Sequence, residues 1–340
     1  MPDDMTAGLV TREGATPPRG KLLSVVTPAY NEESNLPVLY QRLCAVLDPL
    51  DIGWEWIVTD DHSADGTFGV LAGLSRADSR VRAFRFSRNF GSHAGVSCGL
   101  RQARGDCAVV MAADLQDPPE VIPELLAAWE SGAQVVWAAR EEREGEAATT
   151  VRTAGLFYWV MRHVVGMREL PATGADFFLI DRLVMDAYDG FDERNVNLFA
   201  LLAWMGFRQR TVRYVKKARL HGTSGWTLGK KVKLAVDSIT AFSYLPVRLM
   251  SWTGVLTAIA GFFYAIFIIY NAITGQPIEG WSSLIVVVTL IGGLQMLMLG
   301  VLGEYVWRAL DEARRRPRYT IEAETAPRIT LTARGSGEGS

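Results

Sequence analysis

Val109-Val110-Met111-Ala112-Ala113-Asp114-Leu115-Gln116-Asp117-Pro118-Pro119-Glu120 is an apolar run that stops at a cluster of oxygen-bearing side chains. Its first half reads as a buried strand, and the two prolines fit only a loop or the first turn of a helix. Asp114, Gln116 and Asp117 therefore fall on a strand-to-loop bend. Carboxylate and amide oxygens at alternate positions on such a bend suit a hard cation, Mg²⁺ or Mn²⁺, which takes one or two carboxylates plus substrate phosphates. From this stretch alone, an acidic loop serving the dipole of the next helix reads the same way.

Working outward, short apolar runs alternate with helical patterns. Strands are expected at Leu22–Thr27, Trp54–Thr59, Val81–Ser87, Cys107–Ala112 and Gln134–Ala139, with helices between them. Such alternation predicts an α/β domain with a mostly parallel sheet covered on both faces. Asn31 and Glu32, Asp60 and Asp61, Arg88 and Asn89, Asp114 and Asp117, and Arg140 each follow a predicted strand. In an open α/β sheet the carboxyl ends of the strands line the ligand crevice. Loops carry polar residues anyway, but acidic and basic pairs at successive strand ends point to a site.

No GxGxxG follows a strand, which argues against a dinucleotide dehydrogenase. The stretch Gly225–Lys231 is one residue short of a phosphate loop and has Lys231 where Ser or Thr is required. A carboxylate-held cation fits a nucleoside diphosphate, bridging its phosphates as the diphosphate leaves.

Lys plus Arg number 35 and Asp plus Glu 37 in 340 residues, so overall charge gives no reason to expect a nucleic-acid partner. The hydrophobic content of 49% is unevenly spread. No charge occurs from Leu249 to Ile278 or from Gly280 to Gly303, and each run exceeds the ~20 residues that cross a hydrocarbon core. Gly275-Gln276-Pro277 marks the turn of a hairpin, and Trp252, Trp281 and Trp307 stand near the ends as interfacial anchors. Lys230, Lys231, Lys233 and Arg248 precede the hairpin, and Arg308, Arg314, Arg315, Arg316 and Arg318 follow it. By the positive-inside rule both flanks are cytoplasmic. The N-terminus has no signal-peptide pattern. Cys44, Cys98 and Cys107 form no CxxC pair, which suits a reducing compartment. Basic residues at its start and an apolar face through Val232, Ile239, Phe242 and Leu245 make Lys230–Leu245 an interfacial amphipathic helix.

Val26–Glu33, Asp60-Asp61 with Ser63 and Asp65-Gly66-Thr67, and Ala113–Glu120 resemble the GT-A glycosyltransferases of family 2. The resemblance is to the polyprenyl-phosphate branch, the dolichol-phosphate mannose synthase-like and bactoprenol glucosyltransferase-like enzymes. It continues through Arg140–Glu146, Gly174–Arg182, Trp204–Phe207, Ser224–Thr227 and the two spans. It implies a GT-A (Rossmann-like), mostly parallel sheet domain followed by an amphipathic juxtamembrane helix and a two-helix transmembrane hairpin. The expected organisation is a disordered tail over 1–20, a cytoplasmic GT-A catalytic domain over 21–228 and an interfacial helix over 229–248. Two transmembrane helices follow within 249–307 (about 250–272 and 281–303), then a basic and finally disordered tail over 308–340.

By the same resemblance, Pro28, Tyr30, Glu32, Asp60 and Asp61 hold the nucleotide's base and ribose, with Asp114 at its diphosphate. Asp114 and Gln116 bind the metal, and Asp176 sits beside the reacting sugar. Arg140, Arg143, Arg152 and Lys216 meet the acceptor's phosphate, where the planar guanidinium fork suits phosphate oxygens. The expected reaction is inverting transfer of a single sugar to polyprenyl phosphate at the cytoplasmic membrane face. A UDP-sugar is the favoured donor and GDP-mannose the other candidate. Relatives suggest a homo-oligomer, a tetramer, which Gly292, Gly293, Gly300 and Gly303 would allow to pack laterally. Two departures stand out: Ala112 where relatives often carry Asp, and Phe178 where many carry Arg, implying a phosphate-binding charge that is either missing or supplied elsewhere by Lys216, Lys217 or Arg219. A processive polysaccharide synthase fits less well, since no Gln-x-x-Arg-Trp follows the acidic motif. Ala112 leaves a catalytically silent membrane scaffold as the other alternative.

Overall fold

The chain's alternation appears as parallel pairing in the structure, a computed structural model that describes residues 20–140, 176–191, 198–215, 245–274 and 280–325. Strands β1 (Leu22–Ala29), β2 (Gly53–Asp60), β3 (Val81–Phe86) and β4 (Cys107–Val110) are separated by helices α1 (Leu36–Leu47), α2 (Thr67–Ala77) and α3 (Ser92–Gln102). A 3₁₀ turn, Pro119–Val121, precedes α4 (Ile122–Glu130), so the helix expected from Pro118 starts later. Pro118, Pro119 and Pro123 supply no N–H, which confines them to that first turn. Then come β5 (Val135–Arg140), β6 (Phe177–Asp181), α5 (Arg182–Asp189), α6 (Leu198–Trp204) and β7 (Gln209–Tyr214). Two long helices, α7 (Leu245–Ile273) and α8 (Trp281–Ala313), precede a last strand, β8 (Ile321–Glu324).

Among the described residues the sheet has the order β7-β5-β6-β4-β1-β2-β3-β8. β4, β1, β2 and β3 run parallel as neighbours, as do β5 and β7, whereas β6 and β8 run antiparallel. Side chains alternate between two apolar layers, as strand geometry requires. Val25, Trp56, Val58 and Val109 pack with α1, α2 and α4, while Val26, Ile57, Val110 and Phe178 pack with α3, α5 and α6. The reversed β6 brings its start, and hence Asp176, to the carboxyl ends of β4 and β5. Helix α3 lies close on β1 because Gly99 has no side chain: a Cβ there would stand 2.3 Å from Val26 Cγ1.

Phe178 is fully buried, tilted against Trp137 at 5.5 Å and edge-on to Phe199 at 5.9 Å between ring centroids. The ring at position 178 thus serves the core between β5 and α6.

α7 and α8 contain the segments Val247–Asn271 and Val286–Ala313, each long and apolar enough by length and composition to cross a membrane. Their apolar side chains face outward, Phe262 and Phe263 among them. The helix expected at about 281–303 continues to Ala313, carrying its polar last turns beyond the apolar run.

The tail departs from expectation further on. Disorder is expected from Pro317 onward, yet Ile321–Glu324 pairs with β3, and Arg318 and Tyr319 are part-buried against the domain. Ile321-Glu322-Ala323-Glu324 alternates apolar and polar, but four residues behind a run of arginines do not tell a strand from a tail; here backbone pairing to an otherwise open sheet edge and a few side chains hold it. Arg143, Arg152, Lys216, the interfacial helix up to residue 244, most of the 1–20 tail and residues 326–340 lie outside the described residues.

Candidate active site at the carboxyl ends of the strands

Three left-handed non-glycine residues mark three neighbouring strand ends: Asn31 after β1 (φ 57°), His62 after β2 (φ 60°) and Leu115 after β4 (φ 60°). Such backbone costs free energy and persists where the surroundings over-determine it. Leu115 shows how: its side chain is buried in the core beside α1 and α4, and it anchors the bend that carries Asp114 and Gln116. Asp114 Oδ1 accepts the Gln116 N–H at 3.2 Å, which closes the turn. Asp117 is fully buried and accepts the Tyr214 hydroxyl at 2.7 Å, tying the motif to the end of β7.

The loops after β1 and β2 are knitted together. Asn31 N–H donates to Ser63 Oγ at 2.9 Å, and Asn31 Oδ1 accepts the Ala64 N–H at 2.9 Å. Glu32 N–H donates to Thr67 Oγ1 at 2.9 Å, and the Glu32 carboxylate accepts from Asn35 Nδ2 at 2.6 Å at the start of α1. Glu33 Oε2 accepts the Gly66 N–H at 2.9 Å. Burial works to raise the Asp65 carboxyl, but hydrogen bonds from Thr67 and Glu33 outweigh it and hold it below the usual carboxylate value. Pro28 closes β1 half-buried, whereas Tyr30 is 50% exposed and presents its ring at the rim.

Asp60 and Asp61 play braces. Asp60 has no exposed surface; its Oδ1 accepts the Ser63 N–H at 2.9 Å, and its Oδ2 lies 3.6 Å from the Arg85 guanidinium. Asp61 grips the turn after β3, accepting the N–H groups of Phe90 at 2.6 Å and Gly91 at 2.8 Å. Burial raises the Asp61 carboxyl above its usual range against the pull of those two bonds. Each oxygen of such a carboxylate keeps a further acceptor position. Next to this turn His93 lies 5.3 Å from the Phe199 ring, and burial lowers its pKa.

Pro28, Tyr30, Glu32, Asp60, Asp61, Asp114 and Gln116 thus converge at the carboxyl ends of three adjacent parallel strands. Asp176, exposed, stands at the neighbouring edge. Arg140 ends β5 opposite Tyr214 on the same side of the sheet. Arg85 was not legible in the sequence as part of this assembly: it lies within a predicted strand, and only pairing register places it beside Asp60. Among the described residues no group of three or more His, Cys, Asp or Glu side chains gathers as a metal cage. The donors on the Asp114–Gln116 bend are hard oxygens. They fit a Mg²⁺ or Mn²⁺ ion that draws its remaining ligands from a diphosphate.

Comparison with known proteins identifies the family. Residues 24–188 match the family model described as Glycosyl transferase family 2. An uncharacterized glycosyltransferase, YkcC, of Bacillus subtilis is 40% identical over 88% of this chain and 93% of its own. Bactoprenol glucosyl transferase of Shigella phage SfV is 34% identical over 89% of this chain and 98% of its own. Among solved structures, mannosyl-3-phosphoglycerate synthase from Rubrobacter xylanophilus aligns with a TM-score of 0.46 at 19% identity, over 65% of this chain and 73% of that one. Matched in sequence to these relatives along nearly its whole length, the chain belongs to glycosyl transferase family 2 and is a glycosyltransferase.

Proposed function

We propose that this glycosyltransferase moves one sugar from a nucleoside-diphosphate sugar, UDP-linked in the first instance, to a polyprenyl phosphate at the cytoplasmic face of a membrane. The observation that carries the reading is the pairing of this crevice with two membrane-length apolar helices in one chain. The bactoprenol transferase relatives, similar over the catalytic domain and the helices alike, support the choice of acceptor. A soluble donor and a lipid that cannot leave the bilayer meet only if the crevice is anchored at the membrane surface.

Tyr30 and Glu32 would contact the base and ribose directly. Asp60 and Asp61 would act mainly by fixing the loops around them, and Pro28 by closing the floor. Asp114 and Gln116 would hold Mg²⁺ or Mn²⁺, which supplies charge stabilisation to the diphosphate. A phosphate oxygen of the acceptor attacks the anomeric carbon, and the bond from that carbon to the diphosphate breaks. The nucleoside diphosphate leaves with the electron pair, and the configuration inverts. The acceptor phosphate is already anionic near neutral pH, its second pKa being about 6, so no strong base is required. Asp176 would orient the incoming oxygen, and Arg140, Arg143, Arg152 and Lys216 would neutralise the acceptor's phosphate.

Membranes containing the full chain, given labelled UDP-glucose or GDP-mannose, Mn²⁺ and polyprenyl phosphate, should yield a labelled lipid, and EDTA should abolish it. Nucleotide release without labelled lipid would overturn the acceptor assignment.

A further inference from the structure

The segment after α8 lies beyond the matched region 24–188 and has no part in the reaction just described, yet it is built into the rim of the crevice. The Arg318 guanidinium is inserted between α3 and α5. Nη1 donates to Ser97 Oγ at 3.3 Å and to the Tyr188 hydroxyl at 3.1 Å, and Nη2 donates to the Phe191 carbonyl at 2.6 Å. The Tyr319 ring stacks on Phe86, with centroids 5.0 Å apart and planes 21° apart, and Phe86 meets Phe90 edge-on at 5.6 Å. Thr320 O accepts the Ser87 N–H at 3.0 Å. β8 then runs down β3, and Thr325 closes it, donating its N–H to Ala83 O at 3.0 Å and accepting the Ala83 N–H on Oγ1 at 2.9 Å. On the way Glu322 lies 3.5 Å from both Arg85 Nε and His62 Nδ1.

Two of these contacts, Tyr319 on Phe86 and Thr320 O on the Ser87 N–H, meet on one feature. Phe86, Ser87 and Phe90 belong to the end of β3 and the turn behind it, the turn whose Phe90 and Gly91 N–H groups bind Asp61. Arg88 and Asn89 at its tip are exposed, and Gly91 adopts φ +94°. A short exposed turn held by few contacts opens readily; here Asp61 and the His62 ring, 3.0 Å from the Phe86 carbonyl, stand on one side, the strap on the other, and Phe90 packs against the core. Glu322 and Arg85 extend the link to Asp60.

We propose that Arg318–Thr325 is a positioning strap for the nucleotide site, with Tyr319, through Phe86 and Phe90, fixing the turn that sets the Asp61 carboxylate. This rests on the reading of the Asp61 loop as nucleotide-binding. Tyr319 acts through the turn, and Arg318 anchors the segment that carries it to α3 and α5.

The test uses the purified full chain in detergent with Mn²⁺ and UDP as the probe. Tyr319→Leu should raise the Kd for UDP, and the KM for the donor, roughly threefold to tenfold, the span that one aromatic pair carries. kcat should change less than twofold. Tyr319→Phe keeps the stacked ring and should bind like the wild type, and Arg318→Gln should weaken binding in the same direction as Tyr319→Leu. Hydrogen exchange at the Phe90 and Gly91 amides should speed up in Tyr319→Leu while β1 and β4 keep their protection. Unchanged UDP affinity and unchanged exchange in Tyr319→Leu would overturn the strap, as would a loss in Tyr319→Phe equal to that in Tyr319→Leu. If the wild type itself binds neither UDP nor GDP, the nucleotide reading fails, while the exchange measurement still decides whether the strap holds the turn.

Discussion

Asp61 and Asp114 follow strands separated by β1, and the structure gives their carboxylates different work. Both oxygens of Asp61 are committed to the N–H groups of Phe90 and Gly91 in a nearly dry setting. Asp61→Asn replaces one acceptor with a donor facing an N–H, which leaves a buried group unsatisfied at a cost of about 1–3 kcal/mol. The melting temperature should fall along with nucleotide affinity. Asp114 Oδ1 accepts the Gln116 N–H, a bond that an amide oxygen serves equally well. Asp114→Asn keeps an oxygen for the Gln116 N–H, and turnover of nucleotide sugar should fall about 10²-fold or more. A variant that turns over normally with metal present would remove Asp114 from the catalytic role. Both aspartates were legible because each follows an apolar run at a strand end. That Asp60 is a sealed brace was not, because this depends on Arg85 arriving from β3 by register.

Between elements, the amino end of the sheet is locked as firmly as the carboxyl end is open. Arg80, at the start of β3, binds Asp78 through Nε and Nη2 and Asp48 through Nη1 at 2.6 Å, with its guanidinium 4.1 Å over the Trp54 ring. Asp78 also accepts the Tyr40 hydroxyl at 2.7 Å, so α1, α2, β2 and β3 share one network. The Arg80 hydrogen bonds hold the Asp78 carboxyl at about 2. Its folded value lies below its unfolded one, so the stabilisation is fully present above the ordinary carboxylate pKa and is lost as pH falls through about 2. Thermal melts of the wild type should therefore lose about 1–2 kcal/mol more between pH 4 and pH 2 than those of Asp78→Asn, with activity at neutral pH little changed. On the other face, Gly99→Ala forces a methyl against Val26 and should destabilise by about 1–3 kcal/mol through overpacking. The parallel strands and their helices were readable since each apolar run is followed by a helical pattern. β6 was not: Phe177-Phe178-Leu179-Ile180 is apolar throughout, so nothing in it tells direction, and the alternation of β8 is too short to tell a strand from a tail.

For the whole molecule, the tether after α8 constrains how the catalytic domain can stand. Only Arg314–Thr320 separate the last turn of α8 from β8, and β8 starts at the carboxyl end of β3. Such a stretch spans at most about 25 Å when fully extended. Arg318 and Tyr319 are already bound to the domain, which shortens the free part further. If α7 and α8 cross a bilayer, the carboxyl side of the sheet therefore stays near the surface at which α8 ends, where a lipid phosphate would be presented. Orientation decides whether that surface faces the cytoplasm. Arg314, Arg315 and Arg316 follow α8 at once, and residues 275–279 carry no basic residue, so the positive-inside rule predicts that this connection lies outside. Thr274, exposed at the end of α7, offers a place to measure this. In intact cells a membrane-impermeant maleimide should label Thr274→Cys and leave the native chain unlabelled. Cys98 and Cys107 are buried, and Cys44, the partly exposed one, belongs to the catalytic domain and would be shielded inside the cell. Labelling of native Cys44 in intact cells with Thr274→Cys protected would reverse the orientation and put the crevice out of reach of cytoplasmic nucleotide sugars.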